Sequence, residues 1–455
     1  MAKIILVNPV TRKRNKVLRV ERCQQKALAS TGIWPPINLL EIAAHLKHRG
    51  FDEIEITDGE IEGLSQDRLS RNIAKNNPGL IALQVTTPTI EDDLSFAALL
   101  KRYVPKTSII LTGIHPTIFA KDLLREKAVD YVALGEPEEI VSDLADYLFR
   151  HKGELKEIKG LGYKDGGGVN VNSRRMQREN YDYPILPDRS LLKNERYIMP
   201  LTGKPFTVIK VSRGCNFNCS FCTSLAYYGR GWRSRSPKNI VAEIKDAKDK
   251  FGIDTFLFLA DTFNGDINFV KELACLIISE RLNIKWASNS RLDLIDEESA
   301  QLMRRSGCML VSLGIESYDA KLLKRSRKCL AVEDIERGIA ILQKQGIKTY
   351  GYFIFGLEGE NKKSIIKTLF KAAASGLNFA HFYSLTPYPG TEYFRKYGSL
   401  KPQGYYHGVS DILTHAGMNK LFIKTSRYLA FLLFYGRPDR LSTLIRYLIR
   451  GNLAC

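Results

Sequence analysis

The first 150 residues alternate short apolar runs with longer amphipathic stretches. Runs at 4–8, 53–57, 80–85, 108–112 and 131–134 are rich in β-branched residues and predict strands. Between them, 39–49 places Leu39, Ile42, Ala43 and Leu46 on one helical face, and 92–103 predicts a second amphipathic helix. Strands separated by helices predict a parallel, doubly wound sheet, and such sheets bind ligands beyond the carboxyl ends of their strands. Those ends carry Asn8-Pro9, Asp58-Gly59, Thr86-Thr87-Pro88, Gly113-Ile114-His115-Pro116 and Gly135-Glu136. Any one of them is explained by strand termination. Five polar or turn-forming ends in a row favour a ligand.

The alternation breaks at 151–200. Gly160-Leu161-Gly162-Tyr163 and Gly166-Gly167-Gly168-Val169 predict a hairpin with a glycine turn, and Pro184 and Pro187 space a connector, so this stretch reads as a linker. Strand–helix alternation resumes with runs at 206–211, 255–259, 285–288, 309–313, 349–354 and 379–384, and with helices such as 238–250 and 333–345. The expected fold class is therefore α/β: an N-terminal Rossmann-like sheet over 1–150, a partial (β/α)6 TIM-type barrel over 201–395, and a helical segment over 396–455. In a barrel, the chemistry sits at the carboxyl ends of the strands.

Composition changes this picture only in part. The 455-residue chain has ordinary apolar and charged fractions and contains no run long enough for a membrane span. Its net charge of +19 points to nucleic acid, a membrane surface or anionic ligands. No basic block with interleaved aromatics supports nucleic acid, which is not expected as a partner. The charge concentrates at the C-terminus, where residues 395–455 hold ten Lys/Arg against two Asp/Glu. There 428–435 is apolar throughout, and Leu441, Leu444, Ile445, Leu448 and Ile449 fall at helical spacing beside Arg440, Arg446 and Arg450. This segment reads either as a cap packed on the barrel or as a basic amphipathic helix that touches a membrane peripherally.

The first barrel strand runs into Cys215-Asn216-Phe217-Asn218-Cys219-Ser220-Phe221-Cys222. Structural zinc wants four ligands, and the nearest further cysteine and histidines are Cys275, His151 and His381. Eight scattered cysteines without a signal peptide do not form a secreted disulfide framework. Three close thiolates can instead hold three irons of a 4Fe–4S cluster and leave the fourth open for chemistry. Reduced thiols and an open cluster imply the cytoplasm.

The loop of Cys215, Cys219 and Cys222, with aromatic Phe221 before the last cysteine, resembles the radical S-adenosylmethionine (radical SAM) superfamily over residues about 200–395. The resemblance implies that SAM chelates the open iron and is split, after one-electron reduction, to methionine and a 5′-deoxyadenosyl radical. An electron donor such as flavodoxin or ferredoxin is implied as a partner. By similarity, Asp261, Asn289, Arg291, Glu316 and Gly356, which follow successive barrel strands, are expected to contact SAM together with Phe221. The N-terminal sheet, Pro35-Pro36-Ile37-Asn38-Leu39, Thr112-Gly113-Ile114-His115-Pro116-Thr117 and Leu134-Gly135-Glu136-Pro137-Glu138 resemble the cobalamin (B12)-binding radical SAM family. That resemblance places cobalamin at Asn8, Asp58, Thr86, Thr87, Gly113, His115 and Gly135. The chain departs from the D-x-H-x-x-G pattern of cobalt-ligating domains, because Asp58-Gly59-Glu60-Ile61-Glu62-Gly63 carries Glu60 where the His would stand. The expectation is cobalamin bound without a His on its lower face.

What the resemblance implies is a SAM-cleaving enzyme that methylates an unactivated carbon of an apolar or anionic small molecule. The alternative is a cobalamin-dependent cyclase or rearrangement enzyme of the anaerobic magnesium-protoporphyrin ester cyclase type. An RNA methylthiotransferase is disfavoured because the N-terminal domain holds only Cys23 for a second cluster. A non-catalytic cofactor sensor would need no turnover. No catalytic residue is assigned.

Overall fold

The computed structural model describes residues 3–12, 16–20, 32–166, 168–176, 181–397, 420–438, 440–442 and 445. Two sheets organise it. The first contains β1 (Ile4–Asn8), β2 (Ile54–Asp58), β3 (Leu80–Gln84), β4 (Ser108–Thr112), β5 (Tyr131–Ala133), β6 (Leu161–Asp165) and β7 (Gly168–Val171), in the order β2-β1-β3-β4-β5-β6-β7. The pairs from β2 to β5 are parallel. Every residue of β1 and β3 is buried, which is why these strands read as unbroken apolar runs rather than alternating ones.

The predicted glycine hairpin forms, but it does not stand apart as a linker. β6 joins β5 antiparallel, with Ala133 opposite Leu161 and Tyr131 opposite Tyr163, and turns the sheet into a seven-stranded mixed one. The physical reason is edge coverage. β5 would otherwise expose a row of unpaired backbone groups.

The second sheet is parallel throughout and follows chain order: β8 (Thr207–Lys210), β9 (Thr255–Leu259), β10 (Lys285–Ser290), β11 (Cys308–Glu316), β12 (Lys348–Phe355) and β13 (Phe379–Ser384). Among the described residues β8 and β13 do not pair, so the barrel stays open. Its outer helices bury one face each. In helix Pro237–Phe251, Ser236 caps the N-terminus through the Asn239 N–H, Pro237 occupies the first turn, and Ile240, Ile244 and Ala247 pack inward. Helix Lys420–Tyr435 packs on β13 beside helix Lys362–Ala374. Phe434 is buried, and the Tyr435 hydroxyl exchanges 3.0 Å hydrogen bonds with the N–H and carbonyl of Ala380 on β13. Of the sequence-predicted C-terminal stripe, Leu444, Leu448 and Ile449 lie outside the described residues.

The two sheets are tied by charges that periodicity hides. Glu41, fully buried on helix Ile37–His48, is bonded by Lys210 at the end of β8 and, at 3.0 Å, by Arg213. Burial by itself pushes the Glu41 carboxyl up, but the charges and hydrogen bonds of Lys210 and Arg213 outweigh it and hold the group at about 2. A carboxylate depressed in the fold from its ordinary 4.5 contributes stability above that value and loses it as pH falls toward about 2. We therefore expect the urea-unfolding midpoint to drop between pH 4.5 and 2 in the native protein. Glu41→Gln should be less stable at neutral pH and show a flatter acid limb.

Candidate active site

The cysteine loop is held by a device the sequence reading did not contain. Cys215 ends a short strand, Ser212–Cys215, that pairs antiparallel with Gly231–Ser234, with Gly214 opposite Trp232. Gly214 has φ +75, and a Cβ there would lie 2.3 Å from the Gly231 carbonyl oxygen, so only glycine closes this hairpin. Between the two strands the chain makes the cysteine loop and the short helix Ser224–Tyr228.

Cys215, Cys219 and Cys222 line one cavity of about 340 Å³ at the carboxyl ends of the barrel strands. Phe221, Asp261, Asn289, Arg291 and Glu316, five of the predicted SAM-contacting residues, line it too. Among the described residues no three His, Cys, Asp or Glu side chains gather tightly enough for a single metal ion. The three thiols surround a space instead, as a cubane requires, because each thiolate takes a different iron. Burial pushes the Cys219 thiol above its ordinary value, and the Lys328 charge opposes that shift. Cys215 Sγ lies 3.2 Å from the Thr262 hydroxyl.

Several predicted residues brace the loop. One oxygen of Asp261 accepts the Gly214 N–H at 3.1 Å and the Ser224 hydroxyl at 2.8 Å, so its carboxylate spans both flanks of the cysteines. Asn289 donates to the Asp261 carbonyl at 3.0 Å. Arg291 makes a bidentate pair with Asp293 at 3.0 and 2.9 Å, donates to the Lys328 carbonyl and stacks 3.5 Å over Phe217 inside the loop. This geometry makes Arg291 a brace of the loop, and its side chain also lines the cavity. Replacing Asp261 with alanine strands the buried Gly214 N–H at a local cost of about 1–3 kcal/mol. The variant should fold but release iron faster than the parent under chelator challenge, read from the decay of cluster absorbance.

Glu316 shares the cavity wall with three residues that the sequence did not point to, Lys328, Ser288 and Ser290. Glu316, at the end of β11, has φ +68, a strained conformation for a non-glycine residue. Its carboxylate accepts from Lys328 Nζ at 3.0 Å, and both residues are buried on the cavity wall. In sequence Lys328 closes a basic run that reads as a solvated surface. It turns inward because Arg327 and Cys329 on either side both take positive φ. Ser288 and Ser290 on β10 also face the cavity, and their buried hydroxyls have no hydrogen-bond partner among the described residues. Unsatisfied hydroxyls beside a buried charge pair suit a polar, zwitterionic ligand such as SAM. Gly356 does not line the cavity. It has φ +97, and its N–H donates to Glu360, whose carboxyl burial pushes up to about 8.

The residues predicted for cobalamin lie along the edge of the first sheet in two hydrogen-bonded groups. Asp58 accepts from Asn8 at 2.7 Å, from the Tyr197 hydroxyl at 2.7 Å and from the Glu60 N–H, so it caps the turn after β2. Thr86 bonds Thr89, and Thr89 bonds Asp93, which pairs at 2.9 Å with buried Arg19. Glu60, in the place of the absent His, is buried with its carboxyl pushed up to about 8 by that burial, and stands 3.7 Å from Arg19. His115 meets Thr87 at 3.1 Å and Phe119 ring to ring at 4.8 Å, and burial pushes it down to about 3, so it is neutral. Gly113 and Gly135 have reasons internal to the fold. A Cβ at Gly113 would meet the Val85 carbonyl at 2.5 Å, and one at Gly135 would meet Arg174 at 2.9 Å. Asn8 Oδ1 and Asp93 Oδ1 are buried on this edge without a hydrogen-bond partner among the described residues. Unmet acceptors suit a ligand rimmed with amide donors, as the corrin ring is.

Trp34 joins the two regions. It precedes the helix Ile37–His48 that packs on the first sheet, yet it stands in the wall of the cysteine cavity.

Comparisons with known proteins agree with this geometry. The family model of the Radical SAM superfamily matches residues 209–372, and that of the B12 binding domain matches residues 27–145. An uncharacterized methyltransferase of Pyrococcus horikoshii is 30% identical over 390 residues, covering 86% of this chain and 82% of its own. The anaerobic magnesium-protoporphyrin IX monomethyl ester cyclase of Rubrivivax gelatinosus is 29% identical, covering 81% and 67%. Among solved structures, the radical SAM methyltransferase TsrM of Kitasatospora setae, with cobalamin and a 4Fe–4S cluster bound, superposes with a TM-score of 0.71. It is 18% identical and covers 86% of this chain and 77% of its own, a likeness of fold. The chain belongs to the cobalamin-binding radical SAM family. It is an enzyme whose cofactors are a 4Fe–4S cluster, SAM and cobalamin.

Proposed function

We propose that this enzyme transfers a methyl group to an unactivated carbon of a small molecule. The observation that carries the reading is Trp34, a residue of the B12-domain match, standing in the wall of the cysteine cavity. When bound, the cluster and SAM supply a hydrogen-abstracting radical, and cobalamin carries the methyl group. The chain's own residues hold and orient. Cys215, Cys219 and Cys222 would bind the cluster, with Asp261 and Arg291 fixing their loop. Glu316, Lys328, Ser288 and Ser290 would hold the polar end of SAM, with Phe221 and Asn289 on the same wall. Asn8, Thr86, Thr87 and His115 would line the corrin edge, with Asp58 holding Asn8 in place. The apolar part of the cavity wall, from Leu257, Tyr352 and Ile354, would exclude water from the reacting carbon.

The likeness to the Rubrivivax gelatinosus cyclase favours a second reading, a radical cyclisation with no methyl transfer. Mass analysis of SAM-derived products after anaerobic turnover separates the two. Methyl transfer yields S-adenosylhomocysteine alongside 5′-deoxyadenosine. Cyclisation yields 5′-deoxyadenosine without S-adenosylhomocysteine, and that outcome would sink the methyltransferase reading.

A further inference from the structure

Thirteen large hydrophobic side chains are exposed among the described residues, and seven of them lie on one face shared by two helices. Of the other six, Leu441 and Ile445 lie further along the chain, and Tyr103, Met176, Ile185 and Leu225 are scattered. The face is built by two adjacent helices, Lys362–Ala374 and Lys420–Tyr435. Lys362 lies over the Phe422 ring at one end, and Arg440 donates to the Ala373 carbonyl at the other, so the helices run side by side in the same direction. Each buries one face in the barrel, through Ile365 and Leu369 in the first and Ile423 and Phe434 in the second. Their outer faces mix exposed apolar side chains with lysines. Leu421 and Leu432 are each 66% exposed, and Tyr428 and Phe370 are each 62% exposed. Scattered exposed apolar residues need no explanation, but a contiguous stripe of this kind marks an interaction site.

Charge identifies what the stripe meets. Neither helix contains a single Asp or Glu. Lys363, Lys367 and Lys424 are exposed beside the stripe, and none of the three has an acidic partner among the described residues. Apolar side chains interspersed with cations, with Glu336 paired to Lys371 at the edge, match the interface of an anionic lipid bilayer, where the apolar face enters the acyl boundary and lysines meet headgroup phosphates. A second copy of the chain fits less well. A two-fold axis through this face would set the lysines of one copy against those of the other with no acid between them. No described helix is long and apolar enough to cross a membrane, so the contact lies on the surface.

We propose that the face formed by helices Lys362–Ala374 and Lys420–Tyr435 docks the enzyme on an anionic membrane surface. This rests on the exposed stripe alone and stands whether the reaction is methyl transfer or cyclisation. The test is flotation of the full chain with vesicles of three parts phosphatidylcholine to one part phosphatidylglycerol, beside vesicles of phosphatidylcholine alone. Binding is expected to the anionic vesicles, to be weakened by salt, and to fall roughly twentyfold when Lys363 and Lys367 are both changed to Gln. Leu421→Ser with Leu432→Ser should also abolish flotation while leaving the circular dichroism spectrum and cluster content unchanged, because both side chains are exposed. Equal partition between the two kinds of vesicle, or no flotation of the parent, overturns the proposal. So does a concentration-dependent dimer in sedimentation that the same leucine variants dissolve, which would make this face a contact between copies.

Discussion

Replacing Cys219 with alanine should abolish SAM cleavage. Among the described residues the loop has no spare thiolate. Cys275 and Cys329 are exposed elsewhere, Cys308 is sealed in the barrel core, and none of them lines the cavity with the loop thiols. With two thiolates left, one iron loses its protein ligand and the open iron is no longer the defined one. After anaerobic reconstitution we expect the variant to lose the cluster's visible absorbance and to form no 5′-deoxyadenosine above background. The far-ultraviolet circular dichroism should stay that of the parent, because Cys219 is a half-buried loop residue that supports no strand. Retained SAM cleavage in the variant would remove the loop from the site.

Removing Arg213 should cost the most stability of any single change. The side chain is buried two residues before Cys215 and reaches three carboxylates, with Glu41 at 3.0 Å, Glu138 at 2.6 Å and Glu136 at 2.5 Å. Burial alone would depress the Arg213 guanidinium. Glu138, Glu41 and Glu136 together raise it well above its ordinary value. Arg213→Ala leaves these carboxylates with one cation fewer, and breaking a buried pair from one side costs about 3–5 kcal/mol. The urea midpoint should fall accordingly. Arg213→Lys should recover only part of the loss, because an ammonium cannot form the planar fork that spans several carboxylates. Glu41, Glu136 and Glu138 belong to the first sheet's half of the chain and Arg213 to the cysteine hairpin. The same variant should therefore loosen cobalamin retention as well as cluster retention.

The sheets were legible because parallel strands buried on both faces read as apolar runs, and all eleven strands expected from such runs form, ten of them within a residue or two of their expected bounds and one, Cys308–Glu316, extending three residues further. The attachment of β6 to β5 was not legible, since periodicity names a strand but not its neighbour. The strand Ser212–Cys215 went unseen because four residues of mixed polarity carry no alternation. Motif spacing found the three cysteines, and strand ends found Asp261 and Glu316, but a sequence cannot tell a ligand contact from a brace. Asp58 shows this, since the same residue that reads as a ligand-edge acid is spent on Asn8, Tyr197 and the Glu60 N–H. Arg291 shows it again through Asp293. Lys328 was hidden for the opposite reason, because a run of basic residues looks solvated until two positive-φ neighbours turn one of them inward. Glu41 sits on what reads as the polar face of helix Ile37–His48, and only the partner sheet makes that face an interior.

The central claim is that one chain sets a SAM-splitting cluster and a cobalamin on either side of a shared cavity. Iron and corrinoid content per chain, measured after anaerobic reconstitution and gel filtration, tests it directly. The expected result is about four irons and one cobalamin per chain in the parent. In Cys219→Ala, iron should be lost and cobalamin kept, since Asn8, Thr86, Thr87 and His115 stand on a separate sheet. Iron without co-eluting cobalamin in the parent, or loss of both cofactors from a folded Cys219→Ala, would contradict the account.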